Sequence, residues 1–265
     1  MENGWISVEG GELYFEEQGQ GRPVVLLHAG VADRRQWDPQ FDWLARSFRV
    51  IRYDVRGYGN SQPSKHPFDL TQDLFQVMDH RDIETAILVG SSMGGSTAIH
   101  AAVTAPERIQ RLVLAGSGLF GFQPSRELPE PPQYRAMEAA MATRNIDRIV
   151  ALTDAIWLSG LTKGADDIPE GVRALFRTMN RTHWLKTDPA ISYLEPNDVP
   201  HLDQIMQPVL LFTGTCDTPY TLMVAEVLAS RLPRVSRVDV PGAVHLPNVT
   251  HPDLFRQRLG KWISV

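Results

Sequence analysis

Cysteine is nearly absent: the 265 residues hold one, Cys216, so no internal disulfide can brace the fold. Long apolar runs are missing too, and none reaches the about 18 residues a membrane-spanning helix needs. No cluster of Lys and Arg appears, and the net charge is −5. Nucleic-acid and anionic-membrane surfaces depend on concentrated positive charge, so both are read as excluded. Met1 to Trp5 lack the basic and apolar pattern of a secretory signal. Internal repeats and low-complexity segments are lacking as well. No His/Glu pair sits at metal-ligand spacing on a helix, and neither metal nor cofactor is expected. Together these absences make a soluble, cytoplasmic protein the expectation; the expected partner is a small molecule, and the oligomeric state is left open between monomer and homodimer.

What is present is a 43% hydrophobic chain, enough for a full core. Gly10-Gly11 separates two short strand patterns, Trp5 to Val8 and Leu13 to Glu17, as in a hairpin. Continuous apolar runs follow at Pro23 to His28, Ala86 to Val89, Leu112 to Ala115 and Pro208 to Thr213, and Val50 to Asp54 reads as a further buried strand. Such runs mark strands covered on both faces, and helical patterns alternate with them. The class is α/β, with a doubly wound and mostly parallel sheet. His28, Asp54, Ser92 and Ser117 each lie just past a strand end, where ligands bind in such sheets.

From 119 to 205 the rhythm breaks. Pro124, Pro129, Pro131 and Pro132 open a stretch of helical patterns without strands. Asn145 suits a cap for a stripe through Ile146, Ile149, Val150, Thr153, Ile156 and Trp157, and Pro169 suits the first turn of another. The expected division is a core of 1–118 and 206–265 with a helical cap, or lid, of 119–205. Trp157, Trp184, Met137, Met141 and Phe176 either line a pocket under that lid or pack it onto itself.

Gly90-Ser91-Ser92-Met93-Gly94 lies between a strand and an Ala-rich helical run, Ser96 to Ala105. Small residues two positions either side of a nucleophile permit a sharp, strained strand-to-helix turn. Glycines flank Ser92 at that spacing; Ser91 would have Val89 and Met93 instead. Ser92 is therefore the candidate nucleophile. A serine hydroxyl needs a base and a group to orient that base. Asp217 and His245 follow the last two strand exits, in the order Ser, Asp, His. Backbone N–H groups of Met93 and of either Gly30 or Val31 would hold a developing oxyanion. Of the other histidines, His28 reads as holding its own turn, and His183 is the one that could reach the pocket from the lid. Gly116-x-Gly118-x-x-Gly121 imitates a dinucleotide fingerprint, but no helix starts at Phe122-Gln123-Pro124, which argues against nucleotide binding.

Five segments resemble the α/β-hydrolase superfamily over essentially the whole chain: Leu26 to Gly30, Asp54 to Ser61, Gly90 to Gly95, Gly214 to Asp217 and Gly242 to His245. Trp37-Asp38-Pro39-Gln40 and His245-Leu246-Pro247-Asn248 make the chain similar to small capped esterases and lactonases of the 3-oxoadipate enol-lactonase type. Ala29 stands where these proteins usually have glycine, and Ser91 where they frequently have histidine or tyrosine. Serine at 92 departs from haloalkane dehalogenases and epoxide hydrolases, which use aspartate. The resemblance implies a serine hydrolase of esters or lactones acting through an acyl-serine. Acyl transfer or cofactor-free perhydrolysis by the same residues is one alternative. A ligand receptor of this fold with little turnover is another.

Overall fold

Strands β1 (Glu2–Val8) and β2 (Gly11–Gln18) form the antiparallel hairpin at the start of the chain. The computed structural model describes residues 1–124, 128, 131–161, 168–188 and 191–264; Pro129 lies outside them. The remaining strands are β3 (Pro23–Leu27), β4 (Arg49–Tyr53), β5 (Ala86–Ser91), β6 (Ile109–Ala115), β7 (Val209–Gly214) and β8 (Val235–Val240). All eight join one sheet in the order β1-β2-β4-β3-β5-β6-β7-β8. Pairing is parallel from β4 onward, and β2 meets β4 antiparallel.

The unbroken apolar strands have a simple cause. Alternate residues of one strand feed two cores on opposite faces. In β3, Val25 and Leu27 join one core while Val24 and Leu26 join the other; β5 divides Leu88 from Ile87 and Val89 in the same way. Helices α1 (Asp38–Leu44), α2 (Leu70–His80) and α3 (Met93–Thr104) cross between the early strands. Asp69 caps α2 by accepting from the Thr71 and Gln72 N–H groups.

Between β6 and β7 the described residues contribute helices α4 (Pro132–Ala142), α5 (Ile146–Thr153) and α6 (Glu170–Lys186), and no strand of the sheet. Asn145 caps α5 through the Arg148 N–H. The expected helical stripe through Trp157 needs a correction. The α-helix stops at Thr153 and continues as a π-helical turn, Asp154–Leu158, closed by the Ser159 N–H on the Asp154 carbonyl at 2.8 Å. The chain ends with α7 (Pro219–Arg231), the short α8 (Pro247–Thr250) and α9 (Pro252–Ile263). No described helix is long and apolar enough to cross a membrane.

Candidate active site

Ser92 sits between β5 and α3 with φ 49° and ψ −112°, a left-handed conformation that costs a non-glycine residue about 1–3 kcal/mol. Close approach explains the glycines around it. A Cβ at Gly90 would overlap the Gly94 carbonyl, and one at Gly94 would overlap the Leu27 backbone. Three backbone bonds hold the strained residue: its N–H donates to Ala115 O at 3.2 Å, and its carbonyl accepts from Ser96 and Gly118 at 3.0 and 3.1 Å. Ser91 is wholly buried and its hydroxyl has no partner among the described residues, whereas Ser92 is half-buried and borders a cavity. The helix therefore begins at Met93, earlier than the Ala-rich run suggested, because the turn itself supplies its first residues.

His245 Nδ1 faces both carboxylate oxygens of Asp217, at 3.1 and 3.0 Å. Asp217 follows β7 and also accepts from the Thr218 N–H at 2.7 Å, so its side chain is fully buried yet satisfied. With Nδ1 engaged, Nε2 is the ring nitrogen left for the cavity that His245 shares with Ser92. The Ser92 hydroxyl makes no hydrogen bond to another described residue. Bonds between nucleophile and base commonly tighten only when substrate arrives.

The turn after β3 is clamped peptide by peptide. The Ala29 carbonyl accepts from His28 Nδ1 at 2.9 Å and from the Ala32 N–H at 3.0 Å. The Gly30 carbonyl accepts from the Tyr58 hydroxyl at 3.1 Å, and the Val31 carbonyl from Asn180 Nδ2 at 2.8 Å. Each carbonyl held on one side aims the next residue's N–H to the other. Gly30, Val31 and Met93 all line the Ser92 cavity, so the structure leaves both second-donor candidates beside Ser92. His28 holds the turn, as its position suggested: Nδ1 donates to Ala29 O, and Nε2 accepts from the Val55 N–H at 3.0 Å. Burial pushes its pKa below the ordinary histidine value.

Two cavities meet at Ser92. One, of about 570 Å³, includes Gly30, Val31, Met93, Phe120, Tyr193 and Glu195. The other, of about 470 Å³, includes Ser117, Tyr134, Thr218 and Thr221. Trp157 lines both. Trp184 is not brought to Ser92: it lines a neighbouring cavity of about 340 Å³ with Tyr58, Met141 and His183. His183 stacks on Tyr58 with centroids 3.9 Å apart, and burial lowers its pKa to about 4. Met137 and Phe176 are buried in packing clusters instead. Sequence reasoning missed Tyr134 in the first turn of α4, Tyr220 in the first turn of α7, and Tyr193 in the connection between α6 and β7.

The glycines of the fingerprint look-alike have a local use. A Cβ at Gly116 would overlap the His245 carbonyl, one at Gly118 the Ser96 hydroxyl, and one at Gly121 Asn197.

A family model described as alpha/beta hydrolase fold matches residues 22–252. The pimeloyl-[acyl-carrier protein] methyl ester esterase of Shewanella woodyi is 28% identical over 256 residues, which cover 95% of this chain and 98% of that protein. A putative non-heme chloroperoxidase of Synechocystis sp. is 28% identical over 257 residues, covering 91% of each. Among solved structures, the enol-lactonase of Burkholderia xenovorans LB400 superposes with a TM-score of 0.78 at 25% identity, covering 99% of this chain and 100% of that one.

Proposed function

The chain belongs to the alpha/beta hydrolase family, and from that premise we propose that it hydrolyses a carboxylic ester or lactone through an acyl-Ser92 intermediate. The observation that carries this reading is the His245–Asp217 pair, bonded through Nδ1 at 3.0 Å and opening on the same cavity as a strained, half-buried Ser92. His245 takes the Ser92 proton as the hydroxyl oxygen bonds to the carbonyl carbon, and Asp217 holds the tautomer and steadies the imidazolium. The Met93 N–H and the N–H of Gly30 or Val31 receive the oxyanion. His245 then protonates the departing alkoxide, and a water deprotonated by His245 releases the acid. No step requires a metal or cofactor.

Residues 119–205 act in this reading as a cap over the site, with Phe120, Trp157 and Tyr193 among the side chains they contribute to the Ser92 cavity. The esterase and enol-lactonase similarities agree with ester and lactone substrates. A second reading, perhydrolysis by the same three residues, is favoured by the similarity to the putative non-heme chloroperoxidase. It predicts peracid formation when peroxide is added.

The test is a fluorophosphonate probe together with p-nitrophenyl esters of graded chain length and a panel of lactones. Wild-type protein should be labelled and should turn over at least one series. Ser92→Ala should lose both. Labelling that persists in Ser92→Ala would refute the assignment.

A further inference from the structure

The two cavities at Ser92 share five lining residues: Ser92, Gly118, Trp157, Tyr220 and His245. Four of them come from the strand exits and from the start of α7. Trp157 alone of the five comes from the helices between β6 and β7, and it lines both cavities. It is carried on the π-helical turn Asp154–Leu158. Such turns rotate the side chains that follow them relative to a continuous α-helix, and they recur at functional sites.

That turn is over-determined. Asp154 is 2% exposed, and its carboxylate pairs with Arg173 and with Arg177 Nε, the latter at 2.6 Å. The Ser159 hydroxyl donates to the same carboxylate at 2.8 Å and accepts from Arg173 at 2.7 Å. Both arginines lie on α6. The arrangement is favoured because a turn that moved Asp154 away from both arginines would leave a buried charge unpaired. The clamp thus ties the turn that carries Trp157 to α6.

We propose that Trp157, aimed by the Asp154–Arg173–Arg177 clamp, is a specificity-determining residue that partitions the site into two subsites, one on each side of the reacting carbon. The matching substrate is an open-chain ester with two multi-atom arms, acyl and alkoxy, one in each cavity. A small lactone fits less well, because its ring ties both arms to one side. Volumes of about 470 and 570 Å³ suit an arm of several heavy atoms in each. Branching next to the carbonyl is rejected, since it places bulk against the indole. The proposal rests on Ser92 being the acylated residue.

The experiment compares kcat/KM for straight-chain pentanoate and branched pivalate esters of one alcohol, with γ-butyrolactone alongside, in wild type, Trp157→Ala, Trp157→Phe and Asp154→Asn. Fluorophosphonate labelling of Ser92 is measured in each. Wild type should favour the straight chain over both other substrates. Trp157→Ala should raise the pivalate-to-pentanoate ratio at least about tenfold, the scale on which pocket shape discriminates apolar groups. Trp157→Phe should keep most of the wild-type preference. Asp154→Asn retains the indole but loosens the clamp, and should shift the ratio in the same direction as Trp157→Ala. An unchanged ratio in Trp157→Ala, with Ser92 still labelled, overturns the partition and leaves the acyl-serine reading standing. A wild type that prefers the lactone overturns the open-chain assignment. Labelling that survives in Ser92→Ala removes the premise of both.

Discussion

Gln36, in the 3-10 turn before α1, and Asn248, on α8, hold each other reciprocally. Gln36 Nε2 donates to Asn248 Oδ1 at 3.2 Å, and Asn248 Nδ2 donates back to the Gln36 carbonyl at 3.2 Å. Gln36 Oε1 also accepts from the Ala29 N–H at 2.9 Å, and Gln40 Nε2 donates to the Asn248 carbonyl at 2.8 Å. All three side chains are buried. The turn after β3 and α8, which follows His245, are therefore one hydrogen-bonded unit.

Asn248→Leu should disturb both halves of that unit. Buried polar groups left without a partner cost about 1–3 kcal/mol each, so thermal unfolding should move clearly downward. Ester turnover should fall through kcat more than through KM, because the damage lies in how the N–H donors and His245 are presented. A melt and a Michaelis–Menten series on the same variant check both.

Glycines at the site divide by what surrounds them. Gly94→Ala should abolish the soluble folded protein, since the new methyl would overlap the Leu27 backbone. Gly30→Ala should fold like wild type, because its nearest neighbour would be the Tyr58 hydroxyl at 3.6 Å, an ordinary contact. Its activity should still drop, as the methyl would intrude on substrate rather than on protein. Soluble yield, near-ultraviolet circular dichroism and ester turnover distinguish the two.

Tyr58→Phe removes the hydroxyl that anchors the Gly30 carbonyl but keeps the ring stacked on His183. Stability should change little. The expected fall in kcat is roughly tenfold, smaller than the 10²–10³ of losing a direct oxyanion donor, because the hydroxyl acts through a peptide plane. Affinity for a boronate transition-state analogue should weaken in parallel.

His100 on α3 gives a pH prediction. Its Nδ1 lies 2.8 Å from Asp198 Oδ1, and that hydrogen bond, with the Asp198 charge, raises the His100 pKa above its ordinary value. A histidine with a raised folded pKa contributes stability in full below the unfolded value of about 6.5 and loses it as pH climbs through the folded value. The gap in melting temperature between wild type and His100→Gln should accordingly be wider in mild acid and should shrink in alkali. Parallel melts across that range measure it.

Much of the candidate site was legible because its demands are local. Gly90 and Gly94 report the turn at Ser92 directly, since what they avoid lies within a few residues or on the adjacent strand. Asp217 and His245 were legible as strand exits of a parallel sheet. The side chains around them were not. Tyr134, Tyr193 and Tyr220 reach the cavities through the docking of separate segments, which no local period encodes. Trp184 and His183 are adjacent on α6 and both line the neighbouring cavity, a direction set by how that helix lies on Gly57 and Tyr58. The π-helical turn was invisible for a similar reason: its Asp154 is answered by Arg173 and Arg177, some twenty residues away. The place of β4 between β2 and β3 likewise depends on pairing between distant strands.

Gly116, Gly118 and Gly121 carry a wider consequence. Their spacing imitates a nucleotide-binding signature, yet here each vacancy is filled from within: by the His245 carbonyl, the Ser96 hydroxyl and Asn197. Identical punctuation in two proteins can thus arise from unrelated crowding, a phosphate in one and the molecule's own atoms in the other. What tells them apart is whether the hollow left by a missing side chain is still empty once the chain has closed around it.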